Sequence, residues 1–216
     1  MVIPREARRI TYSSEIRQLK KISLNKEQVS IVHGSLLGDG CLHTAWKGTS
    51  KNYRFAKTHS IKQKAYVDWM HEKLKPFVLT APTLYQPTQA LKLRTISHPE
   101  LTKLRKQFYQ GGKKVLPDNI ETIIQDPLSV AVWFMDDGNA VIRNDALAGY
   151  HLNTQSFSLK ENERIKKAFT QLHDIHPMIE KNKQWYRLGI WRKESRSKFA
   201  DLIDRCIITS MRYKLG

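Results

Sequence analysis

Apolar positions along this chain fall into two periods, 3.6 and 2, and the periods alternate in an order that occurs twice. Val29, Val32 and Leu36 share one helical face, opened by Asn25-Lys-Glu-Gln28 at the spacing of a capping box. A helix is therefore predicted from Lys26 towards Gly40. Asp126-Pro127 supplies an N-cap and a proline at the first helical position for a second helix, through Val130 and Trp133 to Gly138. After each helix the period changes. Residues 41–59 and 139–157 read as strand–turn–strand, with Lys47-Gly-Thr-Ser50 and Arg143-Asn-Asp145 as turn signals. Tyr66, Trp69, Met70 and Leu74 then predict a helix over 62–75, ended by Pro76. Its counterpart spans 159–173, with Ile165, Phe169 and Leu172 on one face and Ser158 as N-cap. Strands are predicted at 90–96 and 184–190, and closing amphipathic helices at 99–110 and 194–206.

The order is αββαββα, twice over. The expected fold is α+β, two pseudo-symmetric halves each built on an antiparallel sheet. The predicted divisions are a basic arm over 1–24, an N-terminal half over 25–110, a linker over 111–125 and a C-terminal half over 126–216. Gly111-Gly-Lys-Lys-Val-Leu-Pro117 marks the linker. Leu91 and Leu93 alternate with Lys92 and Arg94, so one sheet face should pack on helices while the other stays polar and basic. A sheet face of that kind fits a DNA major groove, which admits β-ribbons as well as helices.

Composition narrows the partner. In 216 residues, 37 Lys and Arg stand against 20 Asp and Glu, a formal charge of +17, and 40% hydrophobic content suffices for a core. A folded chain this basic repels itself unless a polyanion is its partner, and nucleic acid is the expected one. No apolar run reaches membrane-spanning length, so no membrane role is expected. Cys41 and Cys206 lack metal-ligand spacing and read as small core residues in a reducing compartment. Met1-Val-Ile-Pro-Arg-Glu-Ala-Arg-Arg9 lacks the apolar stretch of a secretory signal. An intracellular setting is expected, either an organelle or a prokaryotic cytoplasm. His173 and His176 have no acidic or cysteine partner at zinc spacing. A Gly-rich phosphate loop and a Ser/His/Asp pattern are both missing, which argues against nucleotide hydrolysis and acyl transfer.

The candidate chemistry sits where the first helix of each repeat stops. Gly34-Ser-Leu-Leu-Gly-Asp-Gly40 and Val132-Trp-Phe-Met-Asp-Asp-Gly138 each end in an acid followed by glycine, and Asp39 and Asp137 are 98 residues apart. Two helix C-termini carrying two carboxylates would repel each other without a cation, and both helix dipoles favour a cation there. Asp136 rivals Asp137, but the first copy has Gly38 at that position, so phase selects Asp137.

Val32-His-Gly-Ser-Leu-Leu-Gly-Asp-Gly40 and Val130-Ala-Val-Trp-Phe-Met-Asp-Asp-Gly138 resemble the nine-letter motif of the LAGLIDADG homing endonucleases, in particular the members with two copies in one chain. The likeness extends to Leu152-Asn-Thr-Gln-Ser-Phe157 and Met211-Arg-Tyr-Lys-Leu215. It covers about residues 25–216. The resemblance implies a monomer with the motif helices side by side, small residues such as Gly34 and Gly38 permitting the contact. Val132, Trp133 and Met135 depart from the small or polar letters of the pattern.

The resemblance further implies a site-specific, metal-dependent endonuclease that makes a double-strand break with short 3′ extensions in a long asymmetric DNA target. The expected cofactor is Mg²⁺, with Mn²⁺ as a substitute, held by Asp39 and Asp137 and by the backbone carbonyls of Gly38 and Asp136. Lys114, Lys214 and Gln155 match the positions of further catalytic residues, and His59 is the rough equivalent of Gln155 in the first half. Expected DNA contacts are Lys47, Lys51, Arg54, Lys57, His59, Lys92, Arg94, Arg143, Trp185, Arg187 and Arg192. Trp185 and Trp191 are candidates to stack on bases because they sit among basic residues. Two alternatives on the same scaffold are an intron RNA maturase and a catalytically silent DNA-binding regulator.

Overall fold

A computed structural model describes residues 13–45 and 51–216. Helix α1, Ser14–Leu19, starts where the Ser13 hydroxyl accepts the Ile16 N–H at 3.3 Å. Helix α2, Lys26–Leu37, opens on a formed capping box. Asn25 Oδ1 accepts the Gln28 N–H at 2.9 Å and Gln28 Oε1 accepts the Asn25 N–H at 3.0 Å. Then come β1 (Cys41–Thr44), β2 (Tyr53–Ser60), α3 (Lys64–Lys73), β3 (Thr83–Tyr85), β4 (Ala90–Arg94) and α4 (Pro99–Phe108). A short ladder, β5 (Tyr109–Gln110) with β6 (Lys113–Lys114), turns through Gly111 and Gly112, both at positive φ. Helix α5 (Ile120–Gln125) leads into α6 (Pro127–Asp137), which Asp126 caps by accepting the Ser129 N–H at 3.0 Å.

The remaining elements are β7 (Gly138–Arg143), β8 (Ala146–Leu152), α7 (Leu159–His173), β9 (Met178–Asn182), β10 (Trp185–Ile190) and α8 (Lys193–Ile203). Two 3-10 turns, Asp204–Cys206 and Thr209–Leu215, close the described chain. Asn144 and Asp145, both at positive φ, make the two-residue turn from β7 to β8. The capping box at α7 is complete, Ser158 with Glu161.

Two four-stranded antiparallel sheets result, ordered β1-β2-β4-β3 and β7-β8-β10-β9. The α+β pattern αββαββα is therefore present twice, with the same strand order each time. The chain divides into two compact units. One holds the chain up to Val29 together with Cys41–Arg105; the other holds Ser30–Gly40 with Lys106–Gly216. Most of α2 thus belongs with the second sheet and α6.

In the first unit, Phe55, Leu91 and Leu93 are buried on the sheet face that meets Tyr66, Val67 and Met70 of α3, while Lys92 and Arg94 are exposed on the other. The predicted alternation holds in β4. In β2 it corrects an expectation: Lys57, expected among the DNA contacts, is 3% exposed. Its Nζ lies 4.9 Å from the Tyr66 ring centre and 3.4 Å from the Tyr66 hydroxyl. His59 is buried on the same face, edge-on to Tyr66 at 5.2 Å, with Nδ1 2.7 Å from Gln63 Oε1. Period two sends 55, 57 and 59 inward together. In the second unit an aromatic cluster forms the core. Trp133 stacks on Phe169 at 6.3 Å, and Phe134 meets Tyr150 and Phe199 edge-on at 5.6 and 5.3 Å.

Other expectations change in detail. The linker carries a real helix, α5, with Ile120, Ile123 and Ile124 buried at helical spacing. Cys41 is exposed on β1 and not a core residue, because Leu42 takes the inward position of that strand. Part of the arm is folded: Ile16 is buried, and the Leu24 N–H donates to Glu100 Oε2 at 3.0 Å. Lys47 and its turn lie outside the described residues. Among those residues no helix is long and apolar enough to cross a membrane.

His98 fastens the segment after α1. Its Nδ1 accepts the Glu100 N–H at 3.2 Å, which leaves Nε2 as donor to the Ile22 carbonyl at 3.0 Å. A protonated ring could not accept the first of these. Burial, the larger cause, holds the imidazole below its ordinary value near 6.5, against an opposing pull from Glu100. The unfolded chain therefore takes up the proton first as pH falls, so the stabilisation is present above about 6.5 and declines below it. Denaturant midpoints should fall from about pH 7 to about pH 5, with His98 titrating below 6.5 by NMR. Titration of His98 above that value would contradict the assignment.

Candidate active site

The last turns of α2 and the length of α6 pack against each other without side chains between them at two points. A Cβ on Gly34 would lie 2.2 Å from the Ser129 carbonyl oxygen and 2.8 Å from Val132 Cβ. A Cβ on Gly38 would lie 2.5 Å from Asp136 Cβ. Each glycine faces the residue that stands at its own place in the other motif, 98 positions on. Small letters in the first copy therefore accommodate Val132 and Asp136 in the second. Trp133 and Phe134 point into the aromatic core instead, so the bulk of the second motif does not disturb the pair. The Ser129 hydroxyl donates to the Ser30 carbonyl at 3.1 Å, a direct link between the two helices.

This contact sets the acids together. Carboxylate oxygens of Asp39 and Asp136 lie within 4.8 Å of each other. Asp136 is 8% exposed, and its Oδ2 accepts the buried Ser35 hydroxyl at 3.0 Å. Asp39 is exposed and Asp137 is half-buried at the end of α6. The Asp137 carbonyl accepts both the Asn153 N–H at 3.1 Å and its side-chain amide at 2.7 Å. Gln155 Nε2 donates to Asn153 Oδ1 at 3.4 Å, so Gln155 reaches the end of α6 through Asn153.

Lys114 and Lys214 take matching places. Lys114 Nζ donates to the carbonyls of Gly38 and Gly40 at 2.7 and 3.0 Å. Lys214 Nζ donates to those of Met135 and Asp136 at 2.6 and 3.0 Å. Carbonyls at a helix C-terminus lack intrahelical partners and carry partial negative charge, which an ammonium satisfies on both counts. The Gly38 and Asp136 carbonyls, expected as metal ligands, each hold a lysine in this structure. The carboxylates of Asp39 and Asp136, at two adjoining helix ends, are hard oxygen donors of the kind Mg²⁺ takes.

The expected DNA contacts divide by face. Lys51, Arg143, Trp185 and Arg192 are exposed, as are Lys92 and Arg94. Lys92 Nζ sits 3.7 Å above the Tyr85 ring. Arg54 is half-buried, its Nε donating to His43 Nε2 at 2.9 Å. Burial first, then the Arg94 charge, lowers the Arg54 guanidinium below its ordinary value. Arg187 is partly covered and joined to Glu180. Sequence reading did not single out Ser35, Asn153 or Glu180. Ser35 acts through one hydrogen bond to the second motif helix and Asn153 through two, which no spacing announces. Glu180 could have been noticed as an acid inside an otherwise basic strand region.

Residues 29–199 match the model of the LAGLIDADG DNA endonuclease family. The chain belongs to that family. It is 29% identical over 218 residues to the probable intron-encoded endonuclease 1 of Wickerhamomyces canadensis, covering 94% of this chain and 90% of that one. A solved structure of the homing endonuclease I-WcaI bound to its DNA recognition sequence superposes with a TM-score of 0.83 at 25% identity, covering 95% of this chain and 93% of that chain. I-DmoI in complex with DNA and Mn shares the fold, with a TM-score of 0.52 at 17% identity over 83% of this chain and 97% of that chain.

The glycine contact should be the most sensitive point of this site. Gly34→Ala places a methyl against backbone, so the helices must part, and overpacking of this kind typically costs about 1–3 kcal/mol. Urea unfolding should show that loss. A variant as stable as the parent would mean the helices are not in contact there.

Proposed function

We propose that this chain is a site-specific DNA endonuclease that makes a double-strand break in a long asymmetric target and leaves short 3′ extensions. The observation that carries this reading is the pairing of two acidic helix ends at glycine contact, each with a lysine on its terminal carbonyls. That arrangement is complete in both motifs, which a catalytically silent scaffold would not need. Asp39 and Asp137 would hold Mg²⁺, with Asp136 supplying a third carboxylate fixed by Ser35. When bound, Mg²⁺ supplies charge stabilisation for the attacking and leaving oxygens of a phosphodiester.

The chain's own groups do the rest. Lys114 and Lys214 neutralise the helix ends and place positive charge beside the scissile phosphates. Asn153 and Gln155 form a polar chain beside Asp137 that can orient water. Arg54 and Arg94, close enough to oppose each other's charge, gain from a phosphate between them. Lys92, Arg143 and Arg187 offer donors on exposed or partly exposed sheet faces to the major groove. The similarity to a probable intron-encoded endonuclease and to a homing endonuclease bound to its DNA recognition sequence supports this reading.

The test uses the sequence formed by joining the two flanks of the gene as they read without the inserted element. That duplex should be cut on both strands at the junction with Mg²⁺ present and left intact with chelator. Asp137→Asn should retain binding in a gel shift and lose double-strand cleavage by at least about a hundred-fold, with single-strand nicks as the residual product. Undiminished double-strand cleavage by that variant would sink the assignment. Binding without any cut by the parent chain would transfer the function to a maturase or a regulator.

A further inference from the structure

One carboxylate stands among all the described strands of the two sheets, Glu180 on β9. It does not lie on the helix-covered face. Leu188 and Ile190 of β10 are buried toward the helices, so Arg187 and Gly189 point the other way, and Glu180 pairs in register with Arg187. An acid on the face of a basic sheet that receives a polyanion is a cost unless something uses it.

Three side chains converge on it. Arg187 Nε donates to Glu180 Oε2 at 3.0 Å. The Trp191 indole N–H donates to Oε1 at 2.6 Å. His151 Nε2 lies 3.2 Å from Oε2. Glu180 and Arg187 keep 25% and 29% of their side-chain surface, so the pair is accessible but held. Trp191 is itself seated with little freedom. A Cβ on Gly149 or on Gly189 would come within 2.4 Å of its ring, so the ring lies on two bare glycines. His151 meets the ring edge-on at 5.1 Å and the Arg143 guanidinium stands 5.2 Å from its centre. Burial, then the Arg187 charge, holds His151 below its ordinary value, so near neutral pH it adds no charge to the group.

The charges matter as much as the geometry. Glu180 and Arg187 together sum to zero, so the pair adds little to sequence-independent attraction by phosphates. What remains is direction. With Nε engaged by a carboxylate, the guanidinium plane is fixed and its terminal N–H groups form an oriented donor pair, matched to the O6 and N7 acceptors of guanine in the major groove.

We propose, resting on the function above, that Glu180 is a positioning residue for target specificity: braced by Trp191, it orients Arg187 to read one guanine of the DNA site. Arg187 supplies the base contact. Glu180 touches no DNA, and its removal frees the guanidinium to swing to phosphates.

The test measures preference rather than strength. The full chain, in chelator so that nothing is cut, is used to select sequences from a randomised duplex pool. Guanine at each preferred position is then replaced by 7-deazaguanine, which lacks N7, in competition gel shifts. At one position the parent should lose about ten-fold in binding, and Arg187→Ala should show no such penalty. Glu180→Gln should reduce the penalty towards nothing while binding unrelated duplex more tightly than the parent, because it unmasks a cation. Trp191→Phe, which keeps the ring and removes the donor, should fall between. A merely structural role predicts the opposite pattern, with preferred and unrelated duplex weakened in proportion. That pattern, or a guanine preference unchanged in Glu180→Gln, would overturn the inference and leave the endonuclease reading standing. Failure of the parent to select any sequence would remove both.

Discussion

The close approach of α2 and α6 is the constraint on which the site depends. Two glycines on one helix allow backbone to meet backbone and side chain, and the acids follow from that. With any larger residue at Gly34 or Gly38 the helix ends would separate, and the carboxylates of Asp39 and Asp136 with them. The cost of gathering negative charge at two dipole ends is then offset locally, by a lysine on each set of terminal carbonyls. These lysines come from distant places in the chain, the short β5–β6 ladder and the final 3-10 turn. A site built this way needs both sequence ends of its unit to be folded before its charges balance.

Much of the architecture could be read from the order of periods. The capping box at Asn25, the N-cap at Ser158, the proline at 127 and the alternation through 90–94 each name an element that is present at that place. Legibility failed where the local signal was weak or shared with another meaning. Thr83–Tyr85 is three exposed residues and has no alternation to show. Helix α5 has helical spacing in Ile120, Ile123 and Ile124, but six residues following a glycine pair read equally as a connection. Lys57 is a cation in a basic strand, and only the register of β2 reveals that it points inward to Tyr66.

The site was legible in a different sense. Phase alone pairs Asp39 with Asp137, whereas the carboxylate placed within 4.8 Å of Asp39 is that of Asp136. Resemblance pointed to Lys114 and Lys214, which sit on the terminal carbonyls of the two motif helices. The place of Asp136 was not visible, because its side chain occupies the space that Gly38 leaves, and such a relation joins residues far apart in sequence. Ser35 was hidden for the same reason. Its hydroxyl matters only through a carboxylate on another helix.

The facing of each motif position with its own counterpart has a consequence for kinship between the halves. Gly34 meets Val132 and Gly38 meets Asp136, one empty place against one filled one. Two copies of the first helix would set glycine against glycine at both levels, without the side chains that fill this seam. Two copies of the second would press valine on valine and bring two buried carboxylates together. At these two levels the seam is filled from one side only, so the side chain tolerated at a position of either motif is set by the residue 98 positions away in the other.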